Sequence, residues 1–163
     1  MAIALTVNGV AVTVSAADTT PLLDVLRNHL DLKGSRYGCG LEQCGSCMVL
    51  LDGEPVYACA REVGTVAGRS VTTVEGLGRV ERPHPLQQAF VEEQAGQCGY
   101  CLSGIVISAA ALLQRNPAPS RSEIVSALDI HLCRCGAHPR ILRAVEKAAL
   151  RLREAAAGPG EGA

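Results

Sequence analysis

The chain has 163 residues, a formal net charge of −1 and 48% hydrophobic residues, enough apolar material for one domain or two small ones. Its lysines and arginines are unclustered and its aromatic side chains are Tyr37, Tyr57, Phe90 and Tyr100, which excludes the basic patch and stacking platform of a nucleic-acid binder. No uncharged apolar run is long enough to cross a bilayer, and Met1-Ala2-Ile3 leads into a strand-like alternation without the regions of a signal peptide; the expectation is a cytoplasmic protein, reaching a membrane at most through a partner.

Ile3, Leu5 and Val7 alternate with small or polar neighbours, the period of a half-buried strand. Asn8-Gly9 predicts a tight hairpin, because both residues tolerate positive φ, and Val10, Val12 and Val14 form the returning strand. Thr20-Pro21 reads as an N-cap followed by proline at the first helical position. Leu22, Leu23, Leu26 and Leu30 give that helix one apolar face. A strand at Met48–Leu51, an Asp52-Gly53 turn, a strand running into Cys59 and a last strand over about residues 70–74 complete this half. Mixed strands around one helix predict a β-grasp ferredoxin-like domain over residues 1–76.

From Gly76 the period becomes helical. Pro85 opens a helix with Leu86, Ala89 and Phe90 on one face, ending near Ala95-Gly96-Gln97. A second carries Ile105, Ala109, Leu112 and Leu113 and stops at Pro117 and Pro119. Ser120-Arg121-Ser122-Glu123 is a capping box that starts a third, with Ile124 and Leu128 facing inward. Pro139 opens a fourth, with Ile141, Leu142, Val145, Ala149 and Leu152 on its stripe. The reading is an α+β protein: the ferredoxin-like domain, then a four-helix bundle with pseudo-two-fold symmetry over residues 77–154, then a small-residue, frayed tail at 155–163.

Eight cysteines in 163 residues, about 5%, fall short of the roughly 8–10% of disulfide scaffolds, and paired motifs without a secretory signal point to metal or redox chemistry. They form two quartets with none left over. Cys39, Cys44, Cys47 and the downstream Cys59 have the plant-type ferredoxin spacing for a [2Fe–2S] cluster. Gly38, Gly40 and Gly45 let that loop bend and let backbone N–H groups approach the sulfurs. A four-cysteine zinc site is the competing reading; zinc sites come as two short pairs, whereas here three cysteines sit together and one is remote. Cys98-x2-Cys101 and Cys133-x-Cys135 each fall in a turn between two helices. Packing those turns together brings four sulfurs to one point near helix N-termini, which suits a second [2Fe–2S] cluster, though this spacing also suits zinc.

Tyr37-Gly38-Cys39-Gly40, Gln43-Cys44-Gly45-Ser46-Cys47, Gln97-Cys98-Gly99-Tyr100-Cys101 and Leu132-Cys133-Arg134-Cys135 resemble the small iron–sulfur subunit of molybdenum hydroxylases. That family includes xanthine dehydrogenase, aldehyde oxidoreductase, carbon monoxide dehydrogenase, isoquinoline oxidoreductase and nicotinate dehydrogenase, and the resemblance covers about residues 3–153. Most members read Cys-Thr-Pro-Gly and Cys-Arg-Cys-Thr-Gly-Tyr where this chain has Cys101-Leu102-Ser103-Gly104 and Cys133-Arg134-Cys135-Gly136-Ala137-His138. Both departures resemble the nicotinate and isoquinoline branch, as do Glu75-Gly76-Leu77-Gly78 and His84-Pro85-Leu86, and they replace the threonine and tyrosine through which the family usually makes pterin contacts.

The resemblance implies an oxidoreductase subunit with no catalytic residue of its own. A large partner would bind molybdenum on molybdopterin cytosine dinucleotide and hydroxylate an N-heteroaromatic substrate such as nicotinate. This chain would carry the electrons to an external acceptor, a cytochrome c or an FAD-containing subunit, with cytochrome favoured by the branch. Cys98, Cys101, Cys133 and Cys135 would form the inner centre and Cys39, Cys44, Cys47 and Cys59 the outer one, with Gln97 and Cys135 touching the pterin. The chain has no GxGxxG, so any flavin lies elsewhere. The alternatives are an aldehyde-oxidising complex or a free two-cluster carrier. Complete cysteine sets leave no vacancy for His84, His131 or His138, which are expected at the surface or as caps. Arg134 is placed either to tune a cluster's potential or to form an interface ion pair.

Overall fold

The structure is a computed structural model that describes residues 2–157. Strands β1 (Ala2–Val7) and β2 (Val10–Ser15) pair antiparallel from Ala2 opposite Ser15 to Val7 opposite Val10. Asn8 and Gly9 have φ of 51° and 80°, the left-handed pair that this two-residue hairpin requires. With β3 (Met48–Leu51), β4 (Glu54–Tyr57) and β5 (Ser70–Thr72) they form one sheet in the order β2-β1-β5-β3-β4. β1 and β5 are parallel, and the other neighbours are antiparallel. Ile3, Leu5 and Val7 are buried as expected, but of the returning strand only Val14 is, with Val10 62% exposed. β2 is an edge strand, so its outer end has little to pack against.

Helix α1 (Leu22–Asp24) runs on as a π-helical turn, Val25–His29. Pro21, not Thr20, stands at its N-cap, with no side-chain cap bond. Thr20 is otherwise engaged: its N–H donates to Ala17 O at 2.9 Å and its carbonyl accepts from Val63 N at 2.8 Å. Strand β5 stops at Thr72, short of the expected Val74, because Asn8 Oδ1 accepts the Thr73 N–H at 2.9 Å. Val74 instead opens α2 (Val74–Leu77).

The second half is α3 (Pro85–Glu92), α4 (Leu102–Arg115), α5 (Arg121–Leu128) and α6 (His138–Ala157). Two capping boxes start α3 and α5. His84 accepts from Leu86 N at 3.2 Å while Gln87 accepts from His84 N at 2.9 Å, and Ser120 and Glu123 exchange the equivalent pair. Residues 155–157 of the expected tail belong to α6; its remainder, 158–163, lies outside the described residues. Helix α4 is buried on nearly every side. Ile105, Ala109, Leu112 and Leu113 join the helical core, while Ile107 and Ala111 pack against Met48 and Leu50 of β3. Among the described residues no helix is long and apolar enough to cross a membrane.

Candidate metal centres

The first cysteine loop lies between the π-helical turn and β3, and Cys59 follows β4 by two residues. Three N–H groups point at its sulfurs: Leu41 N and Gln43 N donate to Cys39 Sγ and Cys39 N donates to Cys44 Sγ, each at 3.3 Å. The Leu41 and Gln43 donors are the main reason the Cys39 thiol is held down at about 7. A Cβ on Gly38 would stand 2.5 Å from Cys44 Sγ, so that sulfur occupies the space a side chain would fill. Deeper in, Cys47 and Cys59 are within hydrogen-bonding reach of each other, and burial, with the Cys59 thiol beside it, pushes Cys47 up to about 12. Tyr57, its pKa raised by burial, also feels the charges of Cys47, Cys39 and Cys44, so the pairs share one neighbourhood.

The second quartet joins two helix-to-helix turns. Cys98 and Cys135 bring their sulfurs to 3.5 Å, and Cys101, at the N-cap of α4, lies against Cys133. Burial and the Cys133 thiol push Cys101 up to about 12. Burial alone would raise Cys133, but the N–H groups of Cys135, Ala137 and Gly136 outweigh it and bring its pKa down. The Tyr100 N–H does the same for Cys98. Gln97 is exposed, and its side-chain Nε2 donates to Cys135 O at 3.1 Å, tying one turn to the other.

Each half therefore offers sulfur donors in pairs, with backbone N–H groups that favour thiolate. An all-sulfur donor set suits zinc or iron–sulfur chemistry and not hard cations. Among the described residues no three thiol, imidazole or carboxylate groups gather as a site for one metal ion. Sulfurs grouped two by two fit a two-iron core, two per iron, and the N–H···S bonds match how such clusters are stabilised.

The two cysteine loops touch. Leu132 N donates to Cys44 O at 3.1 Å. Arg36 Nη1 donates to Gly99 O at 3.2 Å and its guanidinium lies 5.3 Å from the centre of the Tyr100 ring. The Tyr100 hydroxyl donates to Tyr37 O. His131 corrects the expectation of a surface or capping role: it is 6% exposed, its Nε2 is 2.7 Å from Ser108 Oγ, and burial lowers its pKa to about 4. His84 does cap α3, while His138 and Arg134 are exposed. Sequence reasoning missed Arg36, Gly104 and Ser108, whose partners lie far along the chain and leave no local pattern.

Two family descriptions match. Residues 5–69 match a 2Fe-2S iron-sulfur cluster binding domain and residues 73–146 a [2Fe-2S] binding domain. The chain is 54% identical over 147 residues to one subunit of the nicotinate dehydrogenase of Pseudomonas putida, spanning 90% of this chain and 94% of that one. It is 49% identical over 132 residues to the alpha subunit of isoquinoline 1-oxidoreductase of Brevundimonas diminuta, spanning 81% and 86%. The crystal structure of quinoline 2-oxidoreductase from Pseudomonas putida 86 includes a chain that superposes with a TM-score of 0.90 at 36% identity, over 94% of this chain and 96% of that one.

Proposed function

Because the chain belongs to the small [2Fe–2S] subunits of the molybdenum hydroxylases, we propose that it is the electron relay of a complex that hydroxylates an N-heteroaromatic compound such as nicotinate. The observation that carries this reading is the two sets of four sulfurs, each divided into two close pairs of thiols and each supplied with N–H donors. A [2Fe–2S] core supplies a one-electron couple at each quartet. Cys39 and Cys44 would hold one iron and Cys47 and Cys59 the other; Cys98 with Cys135 and Cys101 with Cys133 would do the same in the helical half. Residues 1–76 and 77–154 would each fold around one centre. The two turns, each between a pair of helices, favour a bundle with pseudo-two-fold symmetry. The near-complete coverage of the nicotinate dehydrogenase relative supports the N-heteroaromatic assignment.

A large molybdenum subunit would be the partner. Cys98 is exposed at the tip of its turn, which favours the helical quartet as the inner centre. Gln97 and Cys135 would then meet the molybdopterin cytosine dinucleotide held by that subunit, and Gln97 would exchange or share its present bond to the Cys135 carbonyl. The exposed Leu41 and Glu42 flank the outer centre, where a cytochrome c or an FAD subunit would accept electrons. An aldehyde-oxidising complex is the second reading, favoured by 42% identity and a TM-score of 0.90 to the aldehyde oxidoreductase of Desulfovibrio desulfuricans, of whose chain this one spans 17%.

The test is purification of the intact complex with analysis of its polypeptides, iron and acid-labile sulfide. About four of each per chain are expected, with a molybdenum subunit copurifying and nicotinate-type substrates turned over. Zinc without sulfide would overturn the relay, and turnover of aldehydes alone would move the assignment to the second reading. Cys44→Ser is expected to remove or reshape one paramagnetic signal and leave the other intact.

A further inference from the structure

We propose that His131 is a positioning residue that fixes the separation of the two redox centres by wedging the second cysteine segment against the first cysteine loop. This rests on the relay reading above. His131 stands two residues before Cys133, and Gly45 directly follows Cys44. A Cβ built on Gly45 would overlap His131 Nδ1 and stand 2.6 Å from Cε1 and 2.9 Å from Cγ. The imidazole therefore lies on bare backbone beside Cys44. On the other side stands Gly104, in the first turn of α4. A Cβ there would overlap the Gly45 carbonyl oxygen and stand 3.3 Å from His131 Cε1. Three segments that carry cluster cysteines thus close on one ring, with no side chain of Gly45 or Gly104 intervening.

One turn along α4 from Gly104, Ser108 Oγ holds His131 Nε2 at 2.7 Å. The other ring nitrogen, Nδ1, is buried and has no hydrogen-bond partner. A buried polar atom left unpaired is costly, so hydrogen bonding alone does not explain a ring in this place. Its position does bring the next residue into register, since Leu132 N reaches Cys44 O at 3.1 Å. The ring sets how far apart the two loops stand, and so how strongly the two centres couple.

The measurement is low-temperature paramagnetic resonance of the fully reduced complex, where magnetic coupling between two spins falls with the inverse cube of their separation. In the unmodified complex each signal is expected to be split by the other. His131→Ala is expected to keep both signals and about four irons per chain but to shift the splitting away from its unmodified value, since the loops lose the spacer that fixes their distance. His131→Gln, whose amide can still reach Ser108, should return part of the way to that value. An unchanged splitting in His131→Ala, or two unsplit signals in the unmodified complex, would overturn the proposal. Should His131→Ala fail to assemble, Ser108→Ala decides, a changed splitting supporting the wedge and an unchanged one rejecting it. Absence of two signals from the unmodified complex would instead remove the relay reading, and the wedge with it.

Discussion

At Gly38 the backbone passes so close to Cys44 that the sulfur sits where a side chain would begin. Gly38→Ala must therefore displace Cys44 Sγ, which already accepts the Cys39 N–H at 3.3 Å. The expected result is loss of the first centre alone, seen as iron falling from about four to about two per chain with one resonance signal retained. Gly136→Ala is the control. It has φ of 68° but nothing within 4 Å of the added methyl, so it should cost only backbone strain, about 1 kcal/mol, and keep both centres. Iron unchanged in Gly38→Ala would show that the loop yields without disturbing its sulfur. The cysteine motifs themselves were legible in the sequence because spacing is a local property of the chain. The groups that join the two loops were not: Arg36 finds Gly99 across 63 positions and His131 finds Ser108 across 23. A lone histidine with complete cysteine sets nearby gives no sign that it will be buried.

Between α3 and α6 an ionic seam carries a pH signature. Lys147 Nζ lies 2.8 Å from Glu92 and 3.2 Å from Glu93, Arg151 2.7 Å from Glu92, and Arg143 3.2 Å from Glu93. Arg151 first, then Lys147, hold the Glu92 carboxyl at about 2 against an ordinary 4.5. The folded pKa lies below the unfolded one, so the stabilisation is complete above about 4.5 and is lost as pH falls towards 2. Glu92→Gln is expected to melt lower than the unmodified protein at pH 7, with the gap closing as pH drops through that window. The carboxylates face solvent, so added salt should shrink the gap as well. A gap independent of pH would mean that the glutamate acts through packing instead. Helix starts at this scale were readable where a box of side chains caps the backbone, as at Ser120 and Glu123. They were misread at Thr20, where Val63, remote in sequence, takes the backbone carbonyl that a capping residue would give to the first turn of the helix.

For the whole molecule, α4 is the member shared by both halves. The residues read as its stripe, Ile105, Ala109, Leu112 and Leu113, face the helical core. The run from Ile105 to Leu113 is apolar nearly all round, and a helix of that kind is buried on more than one side. Its other face needs a partner that no periodicity names, and that partner is β3: Ile107 and Ala111 against Met48 and Leu50. β3 begins directly after Cys47 and α4 directly after Cys101, so one apolar joint ties together two elements that each start at a cysteine motif. Ile107, with no exposed surface, should cost about 2–5 kcal/mol when cut to alanine. Ile124, equally buried but inside the helical core alone, should cost a similar amount. Their consequences should differ. Ile124→Ala lowers the stability of the helical half while leaving the joint intact. Ile107→Ala weakens the joint itself and should separate one unfolding transition into two, followed by hydrogen exchange in β1 and in α6. If both variants shift every amide together, the halves are coupled through the cysteine loops and not through this joint.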